Sequence, residues 1–197
     1  MVLSHLSLPP FGSLTRTWGS RNTPVDFSVP SPLANVYPAL DGATADIARL
    51  TRDQMASLVE SDPEIDLNLV RLEAEASSAI EGYTALPNIL SMAYAGRHKN
   101  SYANLVVANH NAILHLVKNG IAEKGVLEAH QILLEGDKRA GAYRESITWI
   151  GQMFSTPPTA RYVPPPHEMV PGLMSDLFTL SDRDLQPMLL IALVHAQ

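Results

Sequence analysis

Ala74-Glu75-Ala76-Ser77-Ser78-Ala79-Ile80-Glu81-Gly82 reads as the closing turns of a helix. Alanines and two small hydroxyl residues let another backbone or a ligand come close. Gly82 can take the left-handed conformation that a helix cap requires. Glu81 is the odd residue. A carboxylate at a helix C-terminus faces the negative end of the dipole, which costs a few tenths of a kcal/mol unless a cation answers it. No neighbour in sequence supplies that cation, so Glu81 is expected to have a basic partner elsewhere.

Upstream and downstream of this stretch the pattern is helical. From Asp41, residues Ile47, Leu50, Met55 and Leu58 mark one face of a first helix that Ser61-Asp62-Pro63 breaks. A second helix runs from about Glu64 to Ile80, with Leu67, Val70, Ala74 and Ser77 inward, and it sets Ser77 one turn from Glu81. A short third helix begins near Leu86-Pro87. Asn100-Ser101 opens a long fourth helix with Leu105, Val106, Ala108, Asn109, Ile113, Leu116 and Val117 on its apolar side, closed by Gly120. A fifth spans about Ala122 to Leu134. The alternation then changes to two short β-favouring runs, Ser146–Ile150 and Ala160–Val163, which predict a projecting hairpin. A sixth helix over about His167 to Leu180 follows, and Ser181 is expected to cap a seventh carrying Met188–Val194. That run is apolar all round, as befits a bundle centre. The expected class is all-α, a helical bundle with one small β-hairpin.

Residues 1–40 are rich in Pro, Ser and Gly and show no apolar period. They read as an extended arm anchored by Trp18, Phe27 and Tyr37, or else as a partly disordered tail. The expected organisation is thus an arm over 1–40, a helical region over 41–121, and a region over 122–197 that contains the hairpin.

Composition narrows the function. Hydrophobic residues make up 46% of the 197 and charged ones 17%, which suits a folded globular chain. A net charge of −6 disfavours general affinity for nucleic acid or for an anionic membrane. There is no cysteine, so thiolate chemistry and disulfides are excluded. The absence of a signal peptide or a long apolar segment leads to the expectation of a cytoplasmic protein. His110 and His115 lie five apart, about 140° around a helix axis, so they do not form a metal pair. No phosphate-binding loop and no nucleophile elbow is present. Two polar groupings remain: Ser77 with Glu81, and Gly141-Ala142-Tyr143-Arg144 leading into Trp149-Ile150-Gly151 and Tyr162-Val163-Pro164-Pro165. Arg144 reads either as solvent decoration or as a holder of this segment. The hairpin edge reads either as a stiff loop or as a place for an extended peptide to add by strand pairing.

At these residues the chain resembles the Fic family of protein AMP-transferases. Ser77-Ser78-Ala79-Ile80-Glu81-Gly82 is similar to the family's inhibitory (Ser/Thr)-x-x-x-Glu-(Gly/Asn) motif. His130–Gly136, Gly141–Arg144 and Trp149–Gly151 resemble the run into the family's flap hairpin. Tyr162–Pro166, then Val170, Pro171, Leu173, Met174 and Leu177, resemble the stretch after it, and Leu189–Gln197 the helix that leads into the catalytic motif. The likeness spans roughly residues 30–197.

The resemblance implies an inhibitory set of Ser77, Glu81 and Gly82. It also implies a target-positioning flap of Ile147, Thr148, Trp149, Ile150, Gly151, Tyr162 and Val163, on which a target protein docks by strand pairing. The implied activity is transfer of AMP from ATP, with Mg, to a Ser, Thr or Tyr hydroxyl. The glutamate of the motif would pair with an arginine that otherwise holds the γ-phosphate, which is a cation of the kind Glu81 lacks. The family signature, His-Pro-Phe-x-(Asp/Glu)-Gly-Asn-Gly-Arg-x-x-Arg, does not occur in the 197 residues; it is expected just after Gln197. No catalytic or metal-binding residue carries over, no nucleotide is expected to bind productively, and the core is expected to be incomplete at its C-terminal side. An apolar patch near Leu190 and Val194, with self-association, is expected to follow. The other reading is a non-catalytic helical regulatory or protein-binding module.

Overall fold

Seven α-helices and one two-stranded antiparallel sheet make up the regular structure of the computed structural model, which describes residues 12–36, 40–58, 63–97, 101–183 and 185–196. A helical fold with one small hairpin is therefore right, but the hairpin is not where the sequence pattern put it. Strands β1 (Gly12–Trp18) and β2 (Thr23–Val29) form it, in register Leu14 to Phe27 and Arg16 to Val25. The turn between them uses Gly19 and Asn22, both with positive φ, and Thr15 Oγ1 donates to Asp26 across the strands at 2.6 Å. The supposed arm thus contains both strands of the sheet. Of its expected anchors, Phe27 is buried, Trp18 is exposed, and Tyr37 lies outside the described residues.

The chain groups into two compact units, residues 1–57 with 143–197, and residues 58–142. In the first, Val25 and Phe27 of β2 bury against Val163, with Leu14, Val29, Ile147 and Ala160 around them. A second apolar cluster gathers Leu33 with Leu180 of α6 (Val170–Ser181) and Leu193 of α7 (Pro187–Ala196). Asp176 of α6 accepts the backbone N–H groups of Leu33 and Ala34 at 2.6 and 3.1 Å. Arg183 donates to the carbonyls of Ala34 and Val36 at 3.0 and 2.6 Å. Every polar backbone group fixed this way removes a desolvation cost, so the segment can lie over the helices without forming a strand.

Ser181 does not cap α7; it is the last residue of α6 and returns its hydroxyl to Leu177 C=O. Gln186 takes the capping role, its Oε1 accepting from Leu189 N–H at 2.8 Å while its Nε2 donates to Ala48 C=O of α1 (Gly42–Leu58). The α1 face expected inward is exposed at Ile47, Leu50 and Met55; the half-buried residues are Thr44, Ala48 and Thr51. The half-buried residues of α1 are thus small ones, and its large apolar stripe faces out. Leu58's side chain lies outside the described set. Around α7, Leu190 and Val194 are half-buried in the Leu33 cluster, and Ile191 is the apolar residue left exposed, so the expected patch is narrower and shifted.

The second unit holds α2 (Pro63–Ile80), α3 (Pro87–Tyr94), α4 (Ser101–Asn119) and α5 (Glu123–Leu133). Leu90 and Ala93 of α3 pack on Ala103 and Val106 of α4. On α2, Ala74 and Ser78 are buried and Val70 and Ser77 half-buried, but Leu67 is exposed, as are Leu69, Leu72 and Ile80 on the far side.

Candidate functional site

Ser77 and Glu81 end α2, and their surroundings follow from the size of the side chains there. Because Ala74, Ser77 and Ser78 are small, α4 approaches closely enough for one amide to bridge them. Asn109 Nδ2 lies 3.3 Å from Ala74 C=O, 2.9 Å from Ser77 Oγ and 3.2 Å from Ser78 Oγ. Two amide protons shared among three acceptors tie the last turn of α2 to the middle of α4. The helix then stops on a two-bond Schellman end. Tyr83 N–H donates to Ser78 C=O at 2.9 Å and Gly82 N–H to Ala79 C=O at 3.0 Å, with Gly82 at φ 83°. Tyr83 then lies against the Tyr102 ring, 5.7 Å between centroids, at the start of α4.

Glu81 sits at the final, non-glycine position of this end. Its side chain is exposed, and among the described residues its carboxylate makes no ion pair. Ser77 and Glu81 therefore differ in kind: the serine is held, and the acid is presented.

One turn back along the buried face of α2, a second polar group was not picked out by the sequence pattern. Arg71 is paired with Glu75 at 2.8 Å and lies 4.4 Å above the Tyr94 ring of α3. Tyr94 meets His110 of α4 edge-on, 5.3 Å between centroids. The Tyr94 hydroxyl and His110 Nδ1 are both buried without a hydrogen-bond partner among the described residues. Burial, with Arg71 adding to it, pushes the His110 pKa below its ordinary value, which favours the neutral ring.

The flap residues lie in the other unit. Where two strands were expected over Ser146–Ile150 and Ala160–Val163, a single antiparallel bridge joins Ile150 to Tyr162. Two features limit the ladder. The 3₁₀ turn Pro157–Thr159 removes donors just before the second run, since proline has no N–H. Beyond the bridge, Val163 turns its carbonyl to Ser28 N–H of β2, at 2.8 Å, rather than to the first run. Ile147 and Val163 thereby join the core with β2, whereas Thr148, Trp149, Ile150, Gly151 and Tyr162 are exposed. Arg144 is a holder: its guanidinium donates to Ser146 C=O at 2.9 Å and to Pro165 C=O, pinning the two ends of the segment together.

The loop that closes the segment is tightly made. Ser155 N–H and Oγ both donate to Gln152 C=O, at 3.0 and 2.8 Å, and Trp149 Nε1–H donates to Ser155 C=O at 3.0 Å. A Cβ on Gly151 would stand 2.1 Å from Ser155 Oγ, so only glycine fits there. Between loop and bridge lies a cleft of about 710 Å³ lined by Ile150, Met153, Phe154, Thr159, Ala160 and Arg161 among others.

Among the described residues no cluster of three or more His, Asp or Glu is placed to hold a metal ion, and no helix is long and apolar enough to cross a membrane. No protein-family model matches the chain, and no curated protein matches it.

Proposed function

We propose that these 197 residues carry the inhibitor helix and the target-docking segment of a self-inhibited Fic-type protein adenylyltransferase, which transfers AMP from Mg-ATP to a Ser, Thr or Tyr hydroxyl of a target protein. What carries the reading is Glu81: an exposed carboxylate with no ion-pair partner among the described residues, set at the end of a helix whose last turn is fixed through Ser77. An acid held rigidly but left unanswered suits a switch that pairs with a guanidinium in one state and gives it up in another. In the family the resemblance points to, the nucleotide and Mg²⁺ are held by the signature motif. None of its residues is among the 197, so no step of the transfer is assigned to this chain, and the residues present do not perform it alone.

The test begins with the coding sequence read onward from Gln197. If it encodes His-Pro-Phe…Gly-Asn-Gly-Arg, the longer chain is incubated with labelled ATP, Mg²⁺ and candidate target proteins, and Glu81→Gly is expected to raise protein labelling at least severalfold. Equal labelling by parent and variant would remove Glu81 from the inhibitory role. A second reading, a non-catalytic protein-binding module, is favoured by one observation: the apolar tip Met153-Phe154 stands in solvent. A stop codon directly after Gln197 would favour it.

A further inference from the structure

Residues 152–155 form a turn closed by Ser155 N–H to Gln152 C=O, and its two central residues are Met153 and Phe154. Phe154 has φ 70°, the left-handed value that a turn of type II asks of its third residue and that glycine normally supplies. A bulky aromatic there is strained. Among the described residues the strain gains nothing, because Phe154 is 93% exposed and Met153 84%. Nor is the loop slack. The Trp149 indole, the doubled bond to Gln152 C=O and the reciprocal bonds between Thr156 and Thr159 hold it from both sides. A strained, rigid turn that displays two large apolar side chains is built for something outside itself. Beside it, Arg161 lines the same cleft, is exposed, and makes no ion pair among the described residues.

We infer that the cleft between the Met153-Phe154 prong and Arg161 is a docking site for a peptide segment of a partner protein that carries an apolar side chain next to a carboxylate. The apolar residue lies against Phe154, Met153 and Ile150, and the acid meets the Arg161 guanidinium, which among the described residues has no ion-pair partner. Rigidity of the prong spares the entropy of ordering it on binding. The inference rests on the reading of residues 147–163 as a docking segment and adds the chemistry of what docks; it needs no transferase activity.

A phage-displayed library of random heptapeptides, selected on the immobilised 197-residue protein, tests it. Enrichment of sequences with Leu, Ile, Met or an aromatic adjacent to Asp or Glu is expected. Peptides so selected should lose about tenfold or more in affinity for Phe154→Gly. That variant relieves the left-handed strain, so it should melt no lower than the parent, which separates lost binding from lost folding. Arg161→Glu should enrich Lys and Arg in place of the acids. Enrichment of apolar peptides without acids overturns the inference, as does a selected set that binds Phe154→Gly equally well. No enrichment, or a second copy of the chain filling the cleft (seen as a dimer that Phe154→Gly abolishes), overturns it too. Failure here with Glu81→Gly still raising labelling would remove the docking chemistry alone. Successful selection with no Glu81 effect would remove the inhibitory reading alone.

Discussion

His110 is the residue whose surroundings most clearly convert into a measurable pH dependence. The groups facing it are Arg71 and Glu75 from α2 and Tyr94 from α3, while its own Nδ1 is buried without a partner. Burial comes first and Arg71 second in lowering its pKa, and Glu75 together with a hydrogen bond to the Val70 backbone opposes them only in part. The unfolded chain therefore binds a proton at a higher pH than the folded one. Stability is complete above the ordinary histidine range and falls as the pH drops from about 6.5 toward the lowered native value, with a slope bounded by about 1.4 kcal/mol per pH unit. The ring is only partly enclosed, so the slope should fall short of that bound. Urea denaturation of the parent and of His110→Gln between pH 8 and pH 5 checks this. The parent should lose stability on acidification more steeply than the variant, and parallel curves would show that His110 does not titrate differently on folding.

At the scale of elements, the best-defined joint is that between α2 and α4. Asn109 spends its amide protons on Ala74 C=O, Ser77 Oγ and Ser78 Oγ, and Ser78 is buried. Asn109→Ala leaves the Ser77 and Ser78 hydroxyls without this donor and should cost about 1–3 kcal/mol, the penalty of an unmet buried polar group. A denaturation midpoint unchanged from the parent would mean that water replaces the amide freely. This joint also shows how far a sequence pattern carries. The helix itself was legible from its period and from Gly82, and Asn109 stood on the apolar side of the fourth helix, where a polar residue signals a partner. That the partner would be Ser77 was not legible, since nothing in spacing relates residues 32 apart. The bridge at Ile150 and Tyr162 shows the opposite case. β-favouring residues at 146–150 and 160–163 were read as a hairpin, of which only the Ile150–Tyr162 bridge forms, because propensity does not say which edge a run pairs with. Val163 found β2 instead. The apolar stripe of α1 was misjudged for a related reason: periodicity finds a face, and tertiary packing decides whether that face or a small-residue one goes inward.

At the scale of the whole chain, residues 12–36 were the largest misreading, and the signal was present. Thr23-Pro24-Val25-Asp26-Phe27-Ser28-Val29 alternates with period two, and Gly19 to Asn22 supplies the turn before it. Pro24 and the surrounding Pro-rich composition masked a strand that tolerates proline because its pairing is confined to a two-stranded ribbon. The consequence is energetic. Phe27 sits in the cluster that buries Val163, and Leu33 in a separate one that buries Leu180 and Leu193, so the segment supplies a core residue to each. Phe27→Ala should cost about 3–5 kcal/mol and Leu33→Ala about 2–5 kcal/mol. The two clusters have no residue in common, so the losses should add, and together they rival the 5–15 kcal/mol on which a folded domain of ordinary stability depends. Both tryptophans, Trp18 and Trp149, belong to the unit of residues 1–57 and 143–197, whereas residues 58–142 contain none. Tryptophan fluorescence therefore reports that unit selectively, and far-UV circular dichroism reports the helices of both. In the Phe27→Ala/Leu33→Ala double variant the fluorescence transition should move to much lower urea or vanish, while a helical transition from residues 58–142 persists. A dispensable tail would leave the fluorescence transition where it is in the parent, and that result would overturn the structural role assigned to residues 12–36.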